Sequence, residues 1–152
     1  MPLDSKDKRI LDLLQKDATT SVSEIAERVG LSRTPCWRRI QELERRGYVR
    51  KRVALLDPGK LGTPVTVFIA VKTNQHNARW LEQFREAVNQ IPEIVEAYRL
   101  SGDMDYLLRV LAPSIDGFDR IYRRLIELVD FSDVSSSFSM EQLKYTTEVP
   151  VG

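Results

Sequence analysis

The chain has 152 residues, enough for one mid-sized domain or two small ones, and 23 lysines and arginines against 22 aspartates and glutamates leave a net charge of +1. That near-neutral sum hides a basic front, with 13 basic against 8 acidic residues over 1–52, and an acidic back, with 10 against 14 over 53–152; a local cationic surface is enough for nucleic-acid affinity, because each neutralised phosphate releases counterions. The single cysteine excludes a disulfide framework or a thiolate metal site within one chain, no apolar run approaches a bilayer span, and the polar start MPLDSKDKR lacks the apolar stretch of a signal peptide, so the expectation is a soluble, cytoplasmic protein.

In chain order, the first predicted helix is capped by Asp4 or Ser5, lines its inner face with Ile10, Leu13 and Leu14, and ends near Lys16. Residues 22–48, VSEIAERVGLSRTPCWRRIQELERRGY, then read as a helix-turn-helix. Ser21 and Glu24 have capping-box spacing, and Ile25, Ala26 and Val29 share one face. Gly30 gives the backbone freedom for a sharp turn, and Leu31 plugs the angle between the helices. The next helix runs from Ser32 or Thr34 to about Arg46, with Pro35 in its first turn, where a missing N–H costs nothing, and Gly47 at its stop.

At about 100° per residue, Cys36, Ile40 and Leu43 form the buried stripe of this helix, and Thr34, Arg38, Gln41 and Arg45 lie opposite. Arg39 and Arg46 flank the outward row, while Glu42 and Glu44 sit to its sides. A row of donors without a carboxylate suits a recognition helix in the major groove of double-stranded DNA, with its N-terminal residues nearest the bases. The candidate DNA-contact residues are Ser32, Arg33, Thr34, Arg38, Arg39, Gln41 and Arg45, on a domain spanning 1–52. Trp37, about 100° from the buried stripe, either packs on the first helix or flanks the DNA. A solvated basic face is the bland alternative for the whole row.

After Gly47 the segment YVRKRVALLDPGKLG reads as a strand ending at the Asp57-Pro58-Gly59 turn, followed by a linker through Gly62 and Pro64, so 53–64 forms strand and linker. Arg50, Lys51 and Arg52 suit phosphate contact or an exposed strand equally well. From Val65 the pattern changes: VTVFIAVK alternates, with Val65, Val67, Ile69 and Val71 on one face and Phe68 and Ala70 on the other. Residues 78–90 follow with helical spacing (Leu81, Phe84, Val88) and stop at Pro92. IVEAYRL and DYLLRVLA are strands joined by the turn Ser101-Gly102-Asp103-Met104; residues 116–129 form a helix with Phe118, Ile121, Leu125 and Leu128 inward; a last strand runs through VSSSFSMEQLKY.

The fold class is α+β: a three-helix, winged-helix-like helix-turn-helix domain, then a ferredoxin-like βαββαβ domain over 65–152. Two helices cover one sheet face. The other, holding Phe68 and Ala70, is a larger apolar patch than a monomer tolerates, which predicts a homodimer paired through this domain, two recognition helices about a two-fold axis, and a roughly palindromic site.

Taken together, the segments RVGLSRTPCWRRIQELERRGYV, ALLDPGKLG, SGDMDYLLRV and SSSFSMEQLKYTT resemble the Lrp/AsnC (feast/famine) transcription regulators from end to end. The resemblance implies a DNA-binding regulator whose second domain dimerises, assembles to octamers and binds a small amino acid between subunits. The PCWRR and MEQLKYTT segments are most similar to the cysteine-responsive members that activate a desulfhydrase, and cysteine, leucine and methionine are the effectors to consider. Carried onto this chain, the ligand site comprises Ser101, Gly102, Asp103, Met104 and Asp105 in the hairpin, faced by Ser135, Ser136 and Ser137. The chemistry is apt: glycine lets a carboxylate reach backbone N–H groups, an aspartate accepts from the ammonium, and serine hydroxyls serve either end.

An enzyme is disfavoured. The lone His76 has neither nucleophile nor metal-ligand partner at useful spacing, Cys36 falls on a buried stripe, Asp103-x-Asp105 lacks the rest of a calcium loop, and the glycines are too few for a phosphate cradle. No catalytic residue, metal ligand or cofactor is expected. The rival reading is a ligand-independent architectural DNA-binding protein of the same fold.

Overall fold

Asp4 starts the first helix of the computed structural model, which describes residues 2–152. Its carboxylate accepts from the Asp7 N–H at 2.8 Å while the Asp7 carboxylate accepts from the Asp4 N–H at 3.2 Å, a complete capping box ahead of α1 (Ser5–Lys16). In α2 (Val22–Val29) only half of the expected box forms. Ser21 Oγ accepts from the Glu24 N–H, but the Glu24 side chain pairs with Arg28 one turn on.

Both glycine stops adopt the left-handed backbone. Gly30 (φ 67°) closes α2 with bonds from Gly30 N–H to Glu27 O and from Leu31 N–H to Ala26 O; Gly47 (φ 76°) does the same after α3 (Arg33–Arg45), with Gly47 N–H to Glu44 O and Tyr48 N–H to Leu43 O. These are Schellman turns, which satisfy the last carbonyls of each helix. Ile10, Leu14, Ile25, Ala26, Val29, Cys36, Ile40 and Leu43 form the core of the three helices, with Leu31 packed against it as expected.

Two expectations fail around this unit. No strand forms over 48–57: Val53, Leu55 and Leu56 are exposed, and the chain passes into a turn in which Asp57 Oδ1 accepts from Gly59 N–H at 2.9 Å. A strand ladder needs a neighbouring strand, and among the described residues none pairs with this exposed segment, whose backbone water can satisfy. The last strand, expected to reach Tyr145, stops at Phe138. The chain divides into two units, Met1–Leu55 with Leu143–Gly152 and Leu56–Gln142, so the final ten residues pack with the first unit. The Gln15 amide holds this tail, donating to Val149 O at 3.0 Å and accepting from Val149 N–H at 2.8 Å.

The second unit runs β1 (Val65–Lys72), α4 (Ala78–Gln90), β2 (Ile94–Arg99), β3 (Tyr106–Ala112), α5 (Ile115–Leu128) and β4 (Asp133–Phe138). The antiparallel sheet has the order β2-β3-β1-β4, the ferredoxin-like arrangement expected. Alternation sets its faces: Val67, Ile69, Val71, Tyr106, Leu108 and Val110 are buried beneath the helices.

The inward stripe of α4 is Trp80, Phe84 and Ala87, rotated from the expected one, with Leu81 and Val88 only partly buried. Trp80 drives the rotation: its ring stacks on Phe84 at 5.2 Å and its Nε1–H donates to Asp130 O at 2.8 Å, so a large apolar body and a polar tip are both accommodated. On α5 the expected Leu128 is exposed and Val129, just past the helix end, takes the core position.

The opposite sheet face carries Phe68, Tyr98, Leu107 and Ala70, as the alternation predicted, around a polar clamp. Arg109 pairs with Glu96 at 2.8 Å, and the Tyr98 hydroxyl donates to the same carboxylate at 3.0 Å.

Candidate functional site

Helix α3 presents the cationic row to solvent. Ser32 is its N-cap, but the hydroxyl makes no capping bond, and Ser32, Arg33, Thr34 and Arg38 are all exposed. No intramolecular partner engages the Arg33 or Arg38 guanidinium among the described residues. Trp37 is 51% exposed in the middle of this group, which decides between the two positions left open for it: its ring faces solvent beside Arg38.

The other three candidates are already engaged. Arg39 Nη1 bridges Asp4 Oδ2 at 2.6 Å and Asp7 Oδ1 at 2.8 Å, tying α3 to the capping box of α1. The Asp7 N–H first, and Arg39 second, hold the Asp4 carboxyl below its ordinary value; the Asp4 and Asp7 carboxylates raise Arg39. Arg45 forks onto both oxygens of Glu42, at 2.6 and 2.8 Å, and Gln41 donates to Glu44 at 3.3 Å. The side-lying carboxylates therefore reach the outward row after all. The Arg45–Glu42 pair is exposed and only three residues apart, an arrangement that contributes little stability and opens readily.

Of the following basic run, Arg52 donates to Glu44 Oε1 at 2.6 Å and to Ala18 O at 3.2 Å, whereas Arg50 and Lys51 stand exposed. Beneath the row, burial pushes the Cys36 thiol up, consistent with a packing role.

In the second unit the hairpin candidates lie at one end of β2 and β3. Ser101, Gly102 (φ 141°), Asp103 and Met104 are exposed, and the Asp103 carboxylate has no partner among the described residues. Asp105 is structural: its N–H donates to Val71 O at 2.9 Å, its carbonyl accepts from Leu100 N–H at 2.8 Å, and Oδ2 accepts from Thr73 N–H at 2.8 Å. Strand β4 holds the serines two strands away from the hairpin. Ser135 and Ser137, paired in register with Ala70 and Phe68, share the open face; Ser136, opposite Ile69, takes the other. The hairpin and the serines thus occupy one sheet without converging within one subunit.

Comparison with known proteins fits both halves. A family model described as the Lrp/AsnC ligand binding domain matches residues 66–149, and one described as a winged helix-turn-helix DNA-binding unit matches 3–50. The glutamate uptake regulatory protein of Zymomonas mobilis is 48% identical, covering 98% of this chain and 91% of its own. The DNA-binding transcriptional activator DecR of Escherichia coli is 44% identical, with 98% and 99% covered. Among solved structures, an AsnC family regulator from Agrobacterium tumefaciens superposes with a TM-score of 0.94 at 54% identity over 98% and 97% of the chains. A Neisseria meningitidis regulator solved with L-methionine superposes with 0.93 at 33% identity over 99% and 97%.

The ion pairs separate two arginines that look alike in sequence. Arg39→Ala is expected to lower the melting temperature at neutral pH, whereas Arg38→Ala leaves it unchanged. A carboxylate held low in the folded state stabilises above its unfolded value and ceases to do so as pH falls through the folded one. The Arg39→Ala deficit should therefore shrink toward zero as acid protonates Asp4, which thermal denaturation over a pH series reads directly.

Proposed function

The chain belongs to the Lrp/AsnC family of DNA-binding transcriptional regulators, and on that premise we propose that it is a cytoplasmic homodimer, assembling to octamers, that reads a roughly palindromic operator with two α3 helices and responds to a small amino acid bound between subunits. The observation that carries the DNA half is the outward row of α3, where Arg33, Thr34 and Arg38 remain uncommitted. Arg33 and Arg38 are the side chains suited to guanine edges, Thr34 to either base or phosphate. Ser32, Gln41 and Arg45 follow as phosphate or edge contacts, Arg45 by exchanging Glu42 for a phosphate. Arg39 contributes by fixing the helix.

For the effector, Asp103 is the carboxylate available to an ammonium, with Ser101, Gly102 and Met104 offering backbone and bulk beside it. Asp105 holds the hairpin in place. Ser135, Ser136 and Ser137 complete such a site only if a second subunit brings its β4 to the hairpin, which agrees with an effector bound between subunits. The PCWRR and MEQLKYTT segments favour cysteine, and the methionine-bound relative keeps methionine in the set. Whichever acts must prefer one assembly over another, since equal affinity for both shifts nothing.

Three measurements test this reading. Arg38→Ala should weaken operator binding by about 1–3 kcal/mol and relax preference at one position, while Arg50→Ala weakens all sequences alike and lowers the salt slope by about 1; normal operator binding by Arg38→Ala would show that another face reads the DNA. Cysteine, leucine or methionine at about 100 times its Kd should stabilise the protein by about 2.7 kcal/mol, an effect lost in Asp103→Ala. If no amino acid moves either stability or operator affinity, the ligand-independent architectural reading takes its place. Phe68→Glu should convert the dimer to monomer in sedimentation analysis, and an unchanged mass would remove the open sheet face from the interface.

A further inference from the structure

The second unit contains a cavity that neither the hairpin nor the serines line. It measures about 130 Å³, opens to solvent on one side, and is walled by Gln75, His76, Asn77 and Ala78 at the start of α4, by Trp80 and Leu81 in its first turn, and by Arg99 and Tyr106 on the sheet. A space this size suits a short-chain molecule rather than the drug-sized ligands of pockets of about 300–1,000 Å³.

Three kinds of group meet there. Arg99 and Tyr106 are directly opposed across β2 and β3, so their side chains share a face. Tyr106 lines the cavity with only 8% of its surface exposed, its ring packed on Phe84 at 4.5 Å and on Trp80 at 5.5 Å, and its hydroxyl has no hydrogen-bond partner among the described residues. Because no buried side-chain oxygen among the described residues lacks a partner, this unpaired hydroxyl is accessible and free to donate to a ligand. The Arg99 guanidinium likewise engages nothing among the described residues. Asn77 caps α4 through a bond from Trp80 N–H at 2.9 Å, and the Ala78 N–H, at the positive end of this 13-residue helix, has no partner among the described residues.

We propose that this cavity is a second ligand site, for a small carboxylate that lacks an α-ammonium, such as a 2-oxo or 2-hydroxy acid. Arg99 takes the carboxylate with its planar fork, the Tyr106 hydroxyl and the Ala78 N–H donate to its oxygens or to the 2-oxygen, and Trp80 with Leu81 covers the carbon chain. The lining contains no aspartate or glutamate. An α-ammonium would enter beside a guanidinium and a helix N-terminus with no anion to receive it, so an amino acid is disfavoured here for the reason that favours one at Asp103. The single fork, with the smaller apolar part of the lining at Ala78, Trp80 and Leu81, argues for a monocarboxylate over inorganic phosphate, which has no carbon chain to cover.

The full-length Trp37→Phe protein leaves Trp80 as its only tryptophan, a reporter in the wall of the site. Titration with pyruvate and with lactate, read by Trp80 fluorescence and by calorimetry, should saturate, with alanine and inorganic phosphate at least tenfold weaker. Arg99→Gln, an exposed change, and Tyr106→Phe, which keeps the packed ring, should each weaken pyruvate at least tenfold without lowering the melting temperature of the Arg99 variant. The proposal is overturned if alanine or phosphate binds as tightly as pyruvate, if neither acid gives heat or a fluorescence change, or if both variants bind pyruvate as the parent does.

Discussion

A four-stranded sheet has two faces, and the second unit carries two helices, both on one of them. Alternation along β1 forces the consequence: Val67, Ile69 and Val71 go under α4 and α5, and Phe68 and Ala70 must then face away. Every later feature of the second unit follows from that division. Each fully buried aliphatic on the covered side is worth about 1.5–3 kcal/mol, so the register cannot slip by one residue without turning the core outward. The uncovered side keeps a Glu96–Arg109–Tyr98 clamp amid its apolar residues, which gives that face a fixed polar pattern as well as an apolar one.

The first unit obeys a different rule. What a cationic helix offers to a partner is what its own ion pairs leave over. Arg39, Arg45 and Arg52 each carry a full charge, yet all three point at carboxylates of the same unit. Both partners of Arg39 belong to the capping box that begins α1, so one guanidinium ties the start of one helix to the middle of another. Charge counting therefore overstates the surface, and the orientation of α3 rests partly on a residue whose charge is internally satisfied.

Much of this was legible in the chain. Periodicity, capping residues and glycine stops placed all three helices of the first unit within a residue or two, because each signal is local and acts through backbone bonds nearby. The same held for β1, β2 and β3, since alternation leaves few ways to bury one face, whereas the last strand ends seven residues before the expected Tyr145. The errors have a shared origin in long-range partners. The 48–57 strand was well formed as a pattern but has no neighbour. Trp80 turned α4 because its indole N–H found the Asp130 carbonyl 50 residues away. Arg39 pairs with Asp4 and Asp7, more than 30 residues earlier, which helical spacing does not show. The bond from Thr73 N–H to Asp105 Oδ2, 32 residues apart, is likewise absent from local spacing. Arg33 and Arg38 fit the reading better because no neighbour in space competes for them.

The hairpin and the α4 cavity are separate in chemistry but joined in backbone. Asp105 Oδ2 accepts from Thr73 N–H, Thr73 Oγ1 accepts from Gln75 N–H at 3.0 Å, and Gln75 lines the cavity. Thr73, 7% exposed, is the one buried polar side chain among the described residues. Two hydrogen bonds thus link the hairpin to the wall of the cavity. Such a path is a connection and not yet a coupling, because coupling requires an element with two arrangements that both ligands bias. If the Thr73 loop is that element, linkage makes the effect mutual: whatever factor an acid applies to amino-acid affinity, the amino acid applies to the acid. A regulator built this way would weigh two species against each other through one buried threonine, and the sign of the effect would follow from whether both ligands hold the loop in the same place.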